Sequence, residues 1–338
     1  MRAAIIEGKD QLDVVDLPMP VPGEGQVRVR VAAVGICGSD LHYHFEGANG
    51  EYVVKEPLIP GHELSGWVNE DPSGQLQVGE PVTVHPARFG ASVDGIEDAA
   101  HLWPGGSYLG SAATTPHTQG GMSEFLVVER HMIRQLPAGL SVEDAALAEP
   151  LGVALHGATR AGDLSGRRVL VSGAGPIGLL ALVAAKARGA AHVTVSDVLA
   201  APLARATELG ADTTVQVSVE ALPAEAFDVV LECSGAAVAI SAAVAAVRRR
   251  GTVVQVGMVP NEARPINLAP FISKEVTMVG SFRFLEEIDE AITLLAADPG
   301  IARIITHRFP IDHVREAFAV ARDSEQSGKV VVTFTDEH

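Results

Sequence analysis

The sequence predicts a two-domain α/β protein, in which a β-rich domain accompanies a doubly wound parallel sheet. Three observations carry this prediction. Short apolar segments separated by Gly and Pro fill the N-terminal part, a Gly-rich turn follows a buried strand near residue 173, and strands then alternate with helices. A length of 338 residues also suggests about two domains.

The N-terminal region is predicted to form short β-strands. Apolar and polar residues alternate, as in Val27-Arg-Val-Arg-Val31, and turn residues such as Pro22-Gly23 separate the segments. Further strands are expected at 64–68, 81–84 and 125–128. The irregular segment between Pro86 and Gly121 is long for a compact domain, and such loops are usually functional. The β-rich domain is therefore expected to cover residues 1–148 and, after the parallel sheet is complete, 285–338.

A helix is expected where the two domains join. Ser141 is a favourable N-cap residue, and Glu143 and Asp144 follow in the first turn, where carboxylates interact favourably with the helix dipole. The helical pattern, interrupted near Pro150, continues towards Gly162.

Residues 149–284 are predicted to form the parallel-sheet domain. Its first strand, Val169-Leu-Val171, leads directly into Gly173-Ala-Gly-Pro-Ile-Gly178, a helix follows from Pro176 to Ala187, and the next strand ends at Asp197. Further helices are expected near 203–209, 238–249, 286–297 and 312–322. Further strands are expected near 215, 227–231, 253–256, 276–279, 304–309 and 329–334.

The Gly-rich turn and the acid after the second strand form a dinucleotide-binding fingerprint. Gly173 permits the tight turn, Gly175 lets the backbone approach a pyrophosphate, and Gly178 permits close packing of the helix on the strand. Asp197 is placed to accept hydrogen bonds from both ribose hydroxyls, and no arginine follows it directly, so NAD is favoured over NADP. The simpler interpretation of Asp197 is an acid that caps the next helix. The predicted cofactor-binding residues are Gly173, Gly175, Pro176, Ile177, Gly178 and Asp197.

Composition argues against several classes of function. A formal net charge of -17 disfavours binding to nucleic acid or to anionic membranes. No apolar run reaches the length of a transmembrane helix, and Met1 to Gln11 lacks the features of a signal peptide. Two cysteines provide no disulfide framework, so a cytoplasmic, reducing location is expected.

One thiol, one imidazole and one carboxylate occur close together in the β-rich domain. Cys37 lies in a Gly-flanked turn, and His62 and Glu63 follow the turn signal Pro60-Gly61. Taken singly, these residues are more simply a buried thiol and an exposed polar pair. Together they match a catalytic zinc site, which has three protein ligands and a fourth position for water or substrate.

Several motifs together resemble the zinc-containing medium-chain alcohol and polyol dehydrogenases, and the resemblance covers nearly the whole chain. They are the glycine fingerprint, Gly35-Ile-Cys-Gly-Ser-Asp-Leu-His42, Pro60-Gly-His-Glu63, Glu149-Pro-Leu151 and Gly280-Ser-Phe-Arg283. Within that family the sorbitol dehydrogenase branch is most similar in these motifs. Three segments are still more similar to L-idonate 5-dehydrogenases: Val254-Gln-Val-Gly-Met258, Gly280-Ser-Phe-Arg-Phe284 and Thr115-Pro-His-Thr-Gln-Gly-Gly121.

The resemblance implies a GroES-like catalytic domain and a Rossmann NAD-binding domain, with the active site in the cleft between them. It implies that Cys37, His62 and Glu63 bind the catalytic zinc. It also implies that Glu149 approaches the metal or its bound water.

The remaining site residues are also assigned by resemblance. Ser39 and His42, two and five residues after the cysteine, correspond to a proton relay, and an imidazole titrates in the range that suits a shuttle. His42 is otherwise interpreted as a surface loop histidine. Tyr43 and Arg283 are assigned to the substrate.

The segment between Pro86 and Gly121 departs from the family pattern. Many relatives carry four closely spaced cysteines there, which hold a second, structural zinc, and this chain has none. One zinc per subunit is therefore expected. His85, His101 and His117 are expected to be polar loop residues rather than ligands. Packing or subunit contacts would hold the segment, with Phe89, Leu102, Trp103 and Tyr108 as the packing residues.

The predicted reaction is hydride transfer to NAD from a secondary hydroxyl of a sugar acid, L-idonate to 5-ketogluconate. Arg283, Arg88 and Lys55 are candidates to bind the substrate carboxylate, but each is equally an ordinary solvated base, so sorbitol or xylitol remains the alternative. A non-enzymatic NAD-binding protein would be expected to lack the metal ligands. The family further implies a homodimer or homotetramer built by extending the NAD-domain sheet at 276–279.

Overall fold

β-strands dominate the first of the two units into which the chain divides. The computed structural model describes residues 1–334. The first unit comprises Met1–Glu149, Ile288–Asp323 and the chain from Lys329, and the second comprises Pro150–Glu287 with Ser324–Gly328. No helix within residues 1–334 is both long enough and apolar enough to cross a membrane.

Besides three short 3-10 helices (Ala100–Leu102, Arg130–Met132 and Asp144–Leu147), the N-terminal part of the first unit contains eleven strands and one α-helix. They are β1 (Arg2–Gly8), β2 (Gln11–Asp16), β3 (Gln26–Gly35), α1 (Gly38–Glu46), β4 (Ala48–Asn49), β5 (Tyr52–Val53), β6 (Glu63–Glu70), β7 (Pro81–Val84), β8 (Ala87–Arg88), β9 (Ser107–Tyr108), β10 (Phe125–Glu129) and β11 (Ile133–Gln135).

The second unit follows a regular alternation of helices and strands. Its elements are α2 (Ala148–Ala161), β12 (Arg168–Ser172), α3 (Pro176–Ala187), β13 (His192–Asp197), α4 (Ala200–Glu208), β14 (Thr213–Gln216), β15 (Phe227–Glu232), α5 (Ala237–Ala246), β16 (Val247–Gln255), α6 (Ala269–Ser273) and β17 (Thr277–Gly280). The chain then forms α7 (Glu287–Ala297), β18 (Ile305–Pro310), α8 (Val314–Arg322) and β19 (Lys329–Thr333).

The main sheet of the first unit is organised around β3. Its order is β11-β7-β6-β3-β19-β18, and β10 pairs with β3 outside this path. Val27, Val29 and Val31 of β3 are buried on one face, which gives the alternation expected for a half-buried strand. β6 and β19 both pair antiparallel with β3, so the end of β3 lies between the start of β6 and the last strand of the chain.

The second unit is a six-stranded parallel sheet in the order β14-β13-β12-β15-β16-β17. The strand order reverses between β12 and β15, and ligands of doubly wound sheets bind beyond the carboxyl ends of the strands at such a point. β12 and β13 are buried over nearly their whole length, as expected for strands covered by helices on both faces. The predicted α/β class with a parallel-sheet domain is confirmed.

The expected interruption of the joining helix near Pro150 corresponds to a change of helix type, from a 3-10 helix at Asp144–Leu147 to α2 from Ala148. Pro150 itself lies in the first turn of α2, where backbone N–H groups have no intrahelical acceptor. One predicted helix end was wrong. The helix predicted at 238–249 ends at Ala246, since Val247 opens β16 and pairs with Phe227 of β15. The apolar pattern of that region fits both a helix and a buried strand.

The packing predicted for the cysteine-free segment holds for only part of it. Phe89 and Leu102 are 40% and 48% exposed, so they do not form a core there. Tyr108 is buried, and the Trp103 indole donates a hydrogen bond to the Ile96 carbonyl over 2.9 Å. The short strands β8 and β9 pair antiparallel within the segment.

Candidate active site

The register between β3 and β6 brings the predicted metal ligands together. Gly35 at the end of β3 lies opposite Glu63 at the start of β6. Cys37, two residues after Gly35, is the N-cap of α1, and His62 directly precedes Glu63. The Cys37 sulfur, a His62 nitrogen and a Glu63 oxygen all lie within 4.8 Å of one another. Within residues 1–334 this is the one such group of three or more potential metal-binding side chains.

A buried carboxylate that the sequence analysis did not single out fixes the two ligand-bearing loops. Asp40 is fully buried, and its two oxygens accept hydrogen bonds from the backbone N–H of Cys37 over 2.9 Å and of Gly61 over 3.0 Å. Asp40 thus joins the two loops at Cys37, a predicted metal ligand, and at Gly61, the residue before the predicted ligand His62. An acid three residues after an N-cap is the local signal that pointed to this role.

The negative charge of the cluster and the unpaired nitrogen of His62 suit a divalent cation. His62 is buried, and its Nδ1 has no hydrogen-bond partner in the described part of the chain. Burial opposes a charge on the imidazole, but the negative charges of Cys37, Asp40 and Glu149 outweigh it and raise the pKa of His62. A site that draws a proton this strongly would also attract a metal ion. One S, one N and one O donor suit zinc.

Glu149 occupies the first turn of α2, and its charge interacts with the cluster. It is buried, and burial together with the negative charge of Glu63 raises the pKa of its carboxyl group. Its Oε1 accepts a hydrogen bond from the Tyr108 hydroxyl over 2.6 Å. The Tyr108 ring in turn packs edge-on against the His62 imidazole, with the ring centroids 5.3 Å apart.

A buried lysine, also not predicted to belong to the site, pairs with Glu63. The Lys329 Nζ lies 2.7 Å from Oε1 and 2.6 Å from Oε2 of Glu63. It also donates to the Ile36 carbonyl over 3.0 Å. Because β19 pairs with the end of β3, this contact joins residues that are 266 positions apart in the sequence. Such a separation gives no local sequence signal.

Three of the four residues assigned to proton relay and substrate lie on α1. Ser39 is half-buried, and His42 is exposed and pairs with Glu46, with 3.1 Å between Nδ1 and Oε1. The i,i+3 spacing places Ser39 and His42 on one face of the helix. Tyr43 is buried instead, and its hydroxyl accepts a hydrogen bond from the Ala112 N–H over 3.1 Å.

The glycine fingerprint lies between β12 and α3, at the point where the strand order reverses. Gly173 has a φ of +96°, a conformation that favours glycine. Gly175 is the N-cap of α3, followed by Pro176 and Ile177. A Cβ on Gly178 would overlap the Gly173 carbonyl oxygen. The structure therefore supports separate roles for these glycines.

Asp197 ends β13 and holds the glycine turn directly. Its Oδ2 accepts a hydrogen bond from the Ala174 N–H over 2.7 Å, and its Oδ1 accepts one from the Leu199 N–H over 2.9 Å. The following Val198 is exposed. The carboxylate therefore belongs to the predicted dinucleotide-binding turn. It does not cap the next helix as the simpler interpretation expects, because Leu199 is the N-cap residue of α4 and that helix has no side-chain cap hydrogen bond.

Arg283 lies in the second unit, after β17. Its φ is +54°, which is uncommon for a residue with a side chain, and its guanidinium lies 4.7 Å from the centre of the Phe282 ring. Residues with such backbone conformations cluster at functional sites. Its role in binding substrate remains a prediction.

Known families match both units of the chain. The alcohol dehydrogenase GroES-like domain matches residues 23–138, and the zinc-binding dehydrogenase family matches residues 176–297. The L-idonate 5-dehydrogenase (NAD(P)(+)) of Escherichia coli K12 is 36% identical over 309 residues, which cover 89% of either chain. Sorbitol dehydrogenase of Bos taurus is 36% identical over 335 residues, covering 94% of this chain and 92% of its own. The crystal structure of the Escherichia coli L-idonate 5-dehydrogenase superposes with a TM-score of 0.90 at 32% identity, and covers 98% of both chains.

Proposed function

The chain belongs to the zinc-binding alcohol dehydrogenase family, and from this premise we propose that it oxidises a secondary hydroxyl of a sugar acid, L-idonate to 5-ketogluconate, with NAD as hydride acceptor. The observation that carries the proposal is the convergence of the Cys37, His62 and Glu63 donor atoms within 4.8 Å. A non-enzymatic NAD-binding protein would have no need of this donor set.

The protein's own side chains have separable roles in this reaction. When bound, zinc supplies a Lewis acid that lowers the pKa of the substrate hydroxyl, and the nicotinamide supplies the hydride acceptor. Cys37, His62 and Glu63 would hold the metal. The Ser39 hydroxyl accepts the substrate proton, and the exposed His42 passes it to solvent. Glu149 presents a carboxylate to the same buried space, and Arg283 contributes a cation for the substrate.

NAD rather than NADP is the proposed cofactor. Asp197 is a carboxylate at the end of the second strand of the parallel sheet, where it would accept hydrogen bonds from ribose hydroxyls and repel a 2′-phosphate. The next residue is Val198, which offers no cation. The similar L-idonate dehydrogenase is named for both NAD and NADP, so the preference of this chain rests on Asp197.

Sorbitol or another neutral polyol is the second candidate substrate. The bovine sorbitol dehydrogenase is as similar in sequence as the L-idonate dehydrogenase, at 36% identity. The idonate proposal rests instead on the short segments at 115–121, 254–258 and 280–284, and on the high structural similarity to the L-idonate dehydrogenase.

A homodimer or homotetramer in a reducing, cytoplasmic compartment is also part of the proposal. β17 is an edge strand of its sheet, and Met278 on it is 36% exposed, so a second copy of the strand would cover unpaired backbone and apolar surface. Cys37 and Cys233 are both free thiols. Light scattering with size-exclusion chromatography would give the subunit number, and a monomer would contradict this part.

The test of the function is NADH formation by zinc-loaded protein with L-idonate, sorbitol, xylitol and gluconate, each with and without a chelator. A chelator-sensitive rate on L-idonate well above the polyols is expected. A preference for neutral polyols would retain the zinc chemistry and reject the sugar acid. The absence of turnover with every substrate would contradict the proposed reaction.

A further inference from the structure

We propose that Tyr108 is a positioning residue of the metal site, whose hydroxyl holds the Glu149 carboxylate while its ring packs against the His62 imidazole. The inference rests on the proposed function only in that it requires a metal at Cys37, His62 and Glu63. It does not depend on the identity of the substrate.

The hydrogen bond between the two side chains is short and shielded from water. The Tyr108 hydroxyl lies 2.6 Å from Glu149 Oε1, and the two residues are 7% and 4% exposed. One oxygen of the Glu149 carboxylate is therefore held in place by this hydrogen bond. A buried carboxylate that loses its donor is costly, because water cannot replace the lost hydrogen bond.

The charges around Glu149 explain why a hydroxyl is the suitable partner. The Glu149 carboxylate interacts electrostatically with the negative charge of Glu63 and with the positive charges of His62 and Lys329. Lys329 is already hydrogen-bonded to Glu63. A neutral donor can orient Glu149 without adding a charge to a cluster that must bind a cation. Phenylalanine at position 108 would keep the packing and lose this orientation.

The ring of Tyr108 provides the second contact. Its plane is inclined by 66° to that of the His62 imidazole, with centroids 5.3 Å apart, an edge-on arrangement of the kind aromatic pairs prefer. The same side chain thus touches one predicted ligand and holds the carboxylate next to it. Groups that orient metal ligands are often nearly as important for metal binding as the ligands themselves.

Tyr108 also connects the cysteine-free segment to the site. It lies on β9, within the segment between Pro86 and Gly121, which contains no cysteine. A second phenol, that of Tyr43 on α1, anchors the same segment through the Ala112 N–H over 3.1 Å. Both tyrosines thus anchor this segment, and the Tyr108 hydroxyl is the one that donates to Glu149.

Zinc release distinguishes positioning from simple packing. The Tyr108→Phe variant should release zinc to a chromogenic chelator at a rate about tenfold higher than that of the wild-type enzyme. The visible absorption spectrum of the cobalt-substituted protein should also change. Tyr43→Phe is the matched control, since it removes a buried hydroxyl that anchors the same segment from α1 and leaves the hydrogen bond to Glu149 in place. Its zinc release rate should stay within about twofold of wild type.

A double-mutant cycle with Glu149→Gln assigns the effect to the contact. Tyr108→Phe should accelerate release little further in the Glu149→Gln background, because the carboxylate it positions is gone. Additive effects, or a wild-type release rate and cobalt spectrum in Tyr108→Phe, would overturn the proposal. Should Tyr108→Phe fail to fold, incorporation of 3-fluorotyrosine, a stronger donor, replaces it. The fluorinated tyrosine should slow zinc release from the otherwise wild-type protein and not from the Glu149→Gln variant. An equal change of the zinc release rate in both proteins would overturn the proposal.

Discussion

The Lys329 ammonium lies within 2.7 Å of both carboxylate oxygens of Glu63, and the two side chains are 3% and 1% exposed. The last strand of the chain therefore supplies the counter-charge of a predicted metal ligand. A carboxylate buried to this extent requires such a partner. In the cluster of Cys37, His62, Glu63 and Glu149, Lys329 reduces the negative charge and fixes the orientation of the Glu63 carboxylate.

Replacing Lys329 by Met should weaken zinc binding. The change removes the charge and keeps an unbranched chain of similar length, so Glu63 loses its orientation and its partner. We expect zinc affinity to fall by about 10- to 100-fold and the metal-free protein to lose about 3–5 kcal/mol of stability. Equilibrium dialysis and thermal unfolding measure the two effects.

Lys274→Met is the matched control for that variant. Lys274 is also buried, but it lies in the second unit, where its Nζ donates to the Ala245 and Val247 carbonyls. The Lys274→Met substitution should lower the stability of the protein without changing its zinc affinity. Equal zinc affinity in Lys329→Met and wild type would show that Lys329 does not support the metal site.

Two glycines of the fingerprint should respond differently to alanine. A Cβ on Gly175 meets no atom within 4 Å, so Gly175→Ala should fold with little change in melting temperature. The same methyl group would stand where the pyrophosphate approaches, and NADH affinity should fall at least about tenfold. Gly178→Ala should unfold at a markedly lower temperature, because its Cβ would overlap the Gly173 carbonyl oxygen. Calorimetry and NADH fluorescence test the pair, and normal NADH binding by Gly175→Ala would argue against the assigned cofactor site.

Asp197→Asn should relax the discrimination between NAD and NADP. The amide keeps the size of the side chain and one acceptor oxygen, but loses the negative charge that would repel a 2′-phosphate. A charge-assisted hydrogen bond is worth about 1.5–3 kcal/mol, so the ratio of kcat/KM for NAD to that for NADP should fall by about 10- to 100-fold. Asp212→Asn, which alters a carboxylate bonded to the Val193 N–H, is the control. An unchanged ratio in Asp197→Asn would remove Asp197 from the ribose site.

Acid should destabilise the second unit through the pair His156 and Glu287. Burial opposes ionisation of Glu287, but hydrogen bonds from His156 Nδ1 over 2.8 Å and from the Leu285 N–H outweigh it and lower the pKa of Glu287 from 4.5 to about 2. A depressed carboxyl pKa contributes stability above its unfolded value, here on the order of 3 kcal/mol. This contribution is lost as the pH falls from about 4.5 towards 2.

Glu287→Gln should therefore lower stability at neutral pH and flatten its pH dependence below about pH 5. Glu286→Gln, at an exposed neighbouring position, should behave as wild type. Urea unfolding at a series of pH values between 6 and 3.5 measures both variants. A parallel loss of stability in wild type and Glu287→Gln over that range would show that the pair does not carry the acid sensitivity.

Local patterns were sufficient to predict the parts of the fold that depend on neighbouring residues. The helix from Pro176 to Ala187 was predicted to the residue, because a glycine turn begins it and Gly189 follows its end. The end of α5 at Ala246 was not predicted correctly, since the apolar residues there suit both a helix and a strand. The two-domain α/β class followed from the spacing of these elements, and the similarity to known dehydrogenases confirms it.

The contacts that complete the metal site were beyond local patterns. Cys37, His62 and Glu63 were predicted because their types and order resemble a known zinc site. Lys329 is brought there by the pairing of β19 with β3. Tyr108, expected only to pack, is brought there by β9 within the cysteine-free segment. Neither contact has a sequence signal of its own. The roles of Ser39, His42, Tyr43 and Arg283 remain predictions.

Zinc content and dehydrogenase rate, measured on the same protein samples, test the central claim most directly. Wild-type protein is predicted to bind one zinc per chain, and NADH formation should fall in proportion as a chelator removes it. Cys37→Ala should lose both the zinc and the rate while it still binds NADH. Two zinc ions per chain, or a full rate in zinc-free protein, would contradict a single catalytic zinc at Cys37, His62 and Glu63.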